Sequence, residues 1–238
     1  MPDMDTNWER VRQKLPEFVS LARTYHATSV LPLSQANLLK AINPESSGIC
    51  YGLSMGYLIE INTPGSSSTR FVELAHHWAS VASEKGKIGA MTHEVYKLGN
   101  WSGRINSFQS YWPAKYRTVE EFRDAGLTTE VAWDVTFDQI LRRFTKVAEY
   151  ITGCSSVSAI LIKTPNHAMA AFVKNGSYGF FDPNFGEVTF ASPKNFTGFF
   201  VKWFDKDFIQ KAYKGTAGGR KDAPPAKSLV LKLCVFAP

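Results

Sequence analysis

Cysteine is scarce in this 238-residue sequence: Cys50, Cys154 and Cys234 are all there is, and no spacing among them makes a C-x-x-C pair or a zinc knuckle with a histidine. An odd number cannot pair off completely, so neither a disulfide framework nor a structural zinc is expected. Long hydrophobic runs are missing too. The most apolar stretch, Ser228 to Pro238, is far shorter than the about 20 residues that span a bilayer as a helix. The opening MPDMDTNWER lacks the basic-then-apolar order of a Sec leader, so a soluble chain is expected, leaving its cell by another route if it leaves at all. Internal repeats are absent. No lysine or arginine cluster is interleaved with aromatics in a recognition motif, so the net charge of +6 and pI near 9.2 read as an ordinary basic surface, and no nucleic-acid partner is expected. His76, His77 and His93 make no recognisable metal-site spacing with a carboxylate or cysteine, and adjacent histidines point about 100° apart on a helix. No metal or cofactor is expected.

What is present is ample core material, 44% hydrophobic and 13% aromatic, enough for one domain covering residues 1–238. Thr6 and Glu9 make a capping box, and Trp8, Val11, Leu15, Phe18, Val19 and Ala22 follow at helical spacing, with Pro16 set to kink or split the helix. Residues 1–43 are thus expected to form a helical N-terminal extension. Further helices are expected around Ser34–Ile42, Gly52–Ile61, Thr69–Lys85, Thr118–Ala125 and Thr136–Thr152, the last ending at Gly153 as a C-terminal cap. Beyond Gly153 the pattern turns extended: Ser155–Lys163, Asn166–Lys174, Ser177–Pro183, Glu187–Ala191 and Ser228–Phe236 read as strands, the last preceded by a Gly/Pro/Lys-rich flexible loop over 214–227. Helices followed by an antiparallel sheet make an α+β fold, with a cleft between the two lobes as the natural place for a site.

One hairpin makes a geometric statement. Asn175-Gly176 between two β-like runs predicts a two-residue type I′ turn, which needs positive φ at both central positions. Lys174 then faces Ser177, and a regular ladder puts Met169 opposite Asp182 and His167 opposite Asn184, all four on one face. His167 and Asp182 become diagonal neighbours, roughly 7–8 Å apart at Cα and within reach of a hydrogen bond. Such a pair is a histidine with its orienting carboxylate. Cys50 supplies a candidate nucleophile: in Gly48-Ile49-Cys50-Tyr51-Gly52-Leu53 the glycine two residues before it and the apolar helical pattern after it set the thiol at a helix N-terminus, where free N–H groups favour a thiolate. Cys154 and Cys234 lie in apolar surroundings and read as buried small hydrophobes.

The order cysteine, distant strand histidine, then aspartate on the next strand is that of papain-like enzymes. The segments GICYGLSMGYL (48–58), NHAMAAF (166–172) and YGFFDPNFGEVTF (178–190) resemble the YopT-type cysteine proteases of bacterial effectors and toxins. The resemblance implies a papain-like fold, no cofactor, and a triad of Cys50, His167 and Asp182. In the family the oxyanion side chain comes five or six residues before the cysteine, where this chain has Glu45 and Pro44. Asn43 is the nearest amide and Gln35 the next candidate, beside the Cys50 backbone N–H. The implied activity is endoproteolysis of specific host signalling proteins, some at membrane surfaces, after delivery into the host cell. The absent leader suits a bacterial cytoplasmic enzyme equally well. A papain-like peptidoglycan amidase toxin and an acyltransferase or deamidase could use the same triad, and a non-catalytic adaptor would have no need to keep it intact.

Overall fold

The structure, a computed structural model, describes residues 11–36, 38, 48–63, 65, 67–88, 93–110, 128–137, 141–154, 157–214 and 229–237. Its strands are β1 (Ser29–Pro32), β2 (Thr128–Phe137), β3 (Val157–Lys163), β4 (Ala168–Lys174), β5 (Ser177–Asp182), β6 (Gly186–Phe190) and β7 (Leu229–Ala237). They form one antiparallel sheet in the order β1-β6-β5-β4-β3-β7-β2. The helices are α1 (Leu15–Thr24), α2 (Cys50–Asn62), α3 (Ser68–Ile88), α4 (His93–Ser110), α5 (Leu141–Thr152), α6 (Pro193–Phe204) and α7 (Asp207–Tyr213). This is the expected α+β architecture.

The central strands read as nearly unbroken apolar runs because helices cover the sheet on both faces. Ile160, Ile162, Met169, Ala171, Phe180 and Val188 point to one side, where α1, α5 and α6 bring Phe18, Phe144, Phe199 and Trp203. The alternate residues Ala159, Leu161, Ala170, Phe172 and Phe181 point to the other, against Tyr57 of α2 and Phe71 of α3. Helix α2 is therefore hemmed in: nine of its 13 residues are buried, which explains why it reads as apolar nearly all round. Gly52 lets α4 pass against it, since a Cβ there would strike the Ile105 carbonyl. Lys174 at the end of β4 donates to the Ile61 carbonyl at the far end of α2, 2.8 Å away, and so ties the β4–β5 hairpin to the helix that carries Cys50.

Pro16 splits the first helix as a proline should: residues 11–12 are helical, a turn follows, and α1 begins with proline in its first positions. The helix expected over Thr136–Thr152 begins at Leu141, because Thr136 and Phe137 still pair with Val230 and Leu229 as the end of β2. Within 1–43 the chain is not helical throughout. Ser29–Pro32 is an edge strand on β6, too short to show a period-2 pattern. Asn43, the helix expected over Thr118–Ala125 and nearly all of the loop over 214–227 lie outside the described residues.

The turn between β5 and β6 depends on Gly186, which sits at φ +107 where a Cβ would meet the Leu31 carbonyl of β1. Gly186→Ala is expected to cost about 2–4 kcal/mol, combining backbone strain and overpacking. Urea unfolding checks this, and an unchanged midpoint would refute it.

Candidate active site

Three local devices set the geometry of the site, which lies at the end of the β4–β5 pair away from the hairpin turn. The first is the β3–β4 connection. Thr164 N–H donates to the His167 carbonyl at 2.8 Å and the His167 N–H donates to Thr164 Oγ1 at 2.9 Å, closing a tight loop that delivers the imidazole into the interior. The second is the hairpin. Asn175 and Gly176 both take positive φ, 52° and 75°, and the ladder runs in the expected register from Lys174 opposite Ser177 to Ala170 opposite Phe181. The third is the Asp182 turn, in which Asp182 Oδ1 accepts the Asn184 N–H at 2.9 Å and the Asp182 carbonyl accepts the Phe185 N–H at 2.8 Å.

The ladder stops at Ala170 and Phe181, so the side chains beyond it are free to converge. His167 Nε2 and Asp182 Oδ1 lie 2.8 Å apart, with both residues almost wholly buried. Asn184 reaches the same place from the turn, its Nδ2 lying 3.4 Å from His167 Nε2 and its Oδ1 accepting from Gln35 Nε2 at 2.6 Å. Gln35 Oε1 in turn accepts the Ile49 N–H at 3.4 Å, one residue before Cys50. Cys50 is the first residue of α2 and is buried, with no side-chain cap over the helix start. The first N–H groups of a helix have no intrahelical acceptor. That of Gly52 is taken by Gln109 Oε1 of α4, at 3.0 Å.

Burial is the largest influence on His167 and lowers its affinity for a proton, but the charges of Asp182 and then Cys50, and the hydrogen bond to Asp182, outweigh it and raise the imidazole to about 10. Nδ1 is buried with no hydrogen-bond partner among the described residues and Nε2 is engaged by Asp182, which leaves Nδ1 as the ring nitrogen not already taken. The cluster can therefore hold a proton between a thiol and a carboxylate-backed imidazole, shielded from water.

Tyr213, the last residue of α7, completes the cluster and was not singled out by sequence. Its hydroxyl donates to Asp182 Oδ2 at 2.6 Å and accepts from Asn184 Nδ2 at 3.1 Å, and its ring lies 4.3 Å from the imidazole at 22°. Ile209 and Tyr213, buried four residues apart, have helical spacing, but nothing in that spacing points to Asp182 as a target. Gln109 carried no signal at all. Cys154 donates to the Tyr150 carbonyl at 3.3 Å and Cys234 packs at the margin of the α2-side core, both away from this cluster. Among the described residues no group of three histidine, cysteine or acidic side chains could hold a metal, and no helix is long and apolar enough to cross a membrane.

Residues 114–222 match the Peptidase C58 family, described as Yersinia/Haemophilus virulence surface antigen. The multifunctional-autoprocessing repeats-in-toxin protein of Vibrio vulnificus is 34% identical over 87 residues, covering 34% of this chain and only 2% of that toxin. Among solved structures, PatoxP, a cysteine protease-like domain of the Photorhabdus asymbiotica toxin PaTox, matches with a TM-score of 0.52 at 15% identity, over 97% of this chain and 61% of that one. The Pseudomonas avirulence protein AvrPphB matches with a TM-score of 0.47 at 15% identity, over 87% and 96%. The PatoxP likeness identifies a cysteine protease fold.

Proposed function

We propose that this chain, whose residues 114–222 match the YopT-type Peptidase C58 family, is a cysteine endopeptidase working through Cys50, His167 and Asp182. The observation that carries this reading is the buried His167–Asp182 pair, 2.8 Å apart, with Cys50 acting on the same imidazole from the start of α2. His167 and Asp182 fall inside the family segment and Cys50 falls before it, so the assignment of the thiol rests on this geometry and on the GICYGL motif.

In the proposed reaction His167 takes the proton of Cys50 and the sulfur attacks a peptide carbonyl. The Cys50 backbone N–H at the start of α2 receives the oxyanion. Gln35, already hydrogen-bonded to the Ile49 N–H, stands beside it as the amide side chain, and Asn43 is the other candidate for that position. The imidazolium protonates the leaving amine, and water activated by His167 then hydrolyses the thioester. Asp182 holds the imidazole in place and stabilises its cation. No step draws on a metal or cofactor. The substrate class is protein, in keeping with toxin and virulence relatives, and the proposed setting is a host cell with signalling proteins as targets.

Incubating a host-cell proteome with the wild type and with Cys50→Ala, and reading new N-termini by mass spectrometry, tests this directly. New termini produced by the wild type alone are expected. A unit mass change or an adduct without cleavage would replace the protease by a deamidase or transferase, and release of stem peptides from purified sacculi, with no protein cut, would replace it by a cell-wall amidase.

A further inference from the structure

An orienting carboxylate is useful only if its own direction is fixed. In a buried site every oxygen of a carboxylate must also find a donor, because an unmet charge there is costly. Asp182 meets both demands in an unusual way. Its Oδ1 is shared between His167 Nε2 and the Asn184 N–H, at 2.8 and 2.9 Å. Its Oδ2 has one described hydrogen-bond donor, the hydroxyl of Tyr213 at 2.6 Å. That hydroxyl is held in turn by Asn184 Nδ2, and the phenol ring lies flat over the imidazole. Helix α7 itself is tied to the histidine loop, since Asn166 Nδ2 donates to the Ala212 carbonyl at 2.7 Å. One residue thus pins the carboxylate and covers the ring that the carboxylate orients.

We propose that Tyr213 is a positioning residue for the His167–Asp182 pair: its hydroxyl fixes Asp182 with Oδ1 aimed at His167, and its ring keeps water off the hydrogen bond between them. The proposal rests on the reading of His167 and Asp182 as catalytic. The ionisable groups that meet at this point are His167 from the β3–β4 loop, Asp182 from β5, Cys50 from α2 and Tyr213 from α7, with the neutral amides of Asn184 and Gln35 beside them. Burial first, and then the Asp182 charge, push the Tyr213 phenol well above its usual range, so it remains a donor throughout the working pH range.

Removing the hydroxyl leaves Asp182 Oδ2 buried without that donor. The carboxylate then either turns away from His167 or draws the shared proton to itself, and both outcomes leave the imidazole neutral at a lower pH. Removing the ring as well admits water, which screens the Asp182 and Cys50 charges and lowers the imidazole further.

The test reads the His167 imidazole titration by NMR together with the alkaline limb of Cys50 alkylation, neither of which needs a known substrate. In the wild type the imidazole is expected to titrate near 10, raised there by the Asp182 charge against burial. Tyr213→Phe is expected to move both down by about one pH unit or more, and Tyr213→Leu further, with peptide hydrolysis losing kcat before KM. A Tyr213→Phe variant that is folded and keeps the wild-type titration and kcat overturns the proposal. Should the variant fail to fold, the wild type still decides: a slowly exchanging Tyr213 hydroxyl proton that disappears in Asp182→Asn supports the hydrogen bond, and a rapidly exchanging one refutes it. Failure of the underlying protease reading looks different. Cys50 of the wild type would then react no faster than an ordinary thiol, and Cys50→Ala would keep its activity.

Discussion

Cys50→Ala should bring peptide hydrolysis down to background, a loss of about 10⁴-fold or more, while the protein stays folded. The loss is large because the thiol is the one group in the proposed reaction that forms a bond to the substrate. The fold should survive because the side chain is small and sits at the start of α2, where the helix is held elsewhere by Tyr57 stacking on Phe181 and by Lys174 on the Ile61 carbonyl. The companion experiment is labelling with an irreversible papain-class thiol inhibitor followed by peptide mapping. Cys50 should be modified well before Cys154, which is engaged with the Tyr150 carbonyl, or Cys234. Preferential labelling of either of the other two, or an active Cys50→Ala, would move the nucleophile elsewhere.

Asp182→Asn is the second large effect, roughly 10²–10⁴-fold in kcat by analogy with the carboxylate of serine protease triads. An amide in that position cannot stabilise the imidazolium, and its NH₂ group competes with Tyr213 and the Asn184 N–H for a site built around an anion. The pH dependence of stability should change with it. Folding raises His167 from 6.5 to about 10, so the stabilisation from its protonation is fully present below about 6.5 and is lost as the pH climbs through 10. The wild type should therefore lose stability relative to Asp182→Asn between those limits, seen as a downward slope in the difference curve from urea titrations at stepped pH. If Asp182→Asn keeps full activity and the difference curve has no slope, Asp182 serves only to close the turn onto Gly186.

Much of this site could be read from the chain because it is built from local rules. Asn175-Gly176 can adopt only a few turn geometries, so the register of β4 on β5 follows, and with it the approach of His167 to Asp182. The structure adds a refinement: the ladder ends at Ala170 and Phe181, and Asn184 reaches His167 from the Pro183-Asn184-Phe185 turn instead of from a continuing strand. Where periodicity is clear, as for Phe144, Val147, Ala148 and Ile151 in α5, the element was legible and only its start was misjudged, because an apolar residue such as Phe137 fits the end of a strand as well as a helical stripe. Short or context-dependent elements were not legible. The four residues of β1 carry no period, and α6 and α7 show their meaning only once the far face of the sheet exists to be covered.

The amino-acid sequence by itself determined the α+β class and the β4–β5 hairpin, which depend on composition, turn chemistry and spacing along the chain, and the candidate trio of Cys50, His167 and Asp182, which the family resemblance of the segments around them implies. The tertiary structure alone decided what surrounds the trio. Gln109 and Tyr213 come from segments 59 and 163 residues beyond Cys50, and no periodicity or motif records which distant carboxylate, amide or N–H a polar side chain will meet. Their positions follow from the packing of α2, α4 and α7 around one sheet end, where each buried polar atom must find a partner.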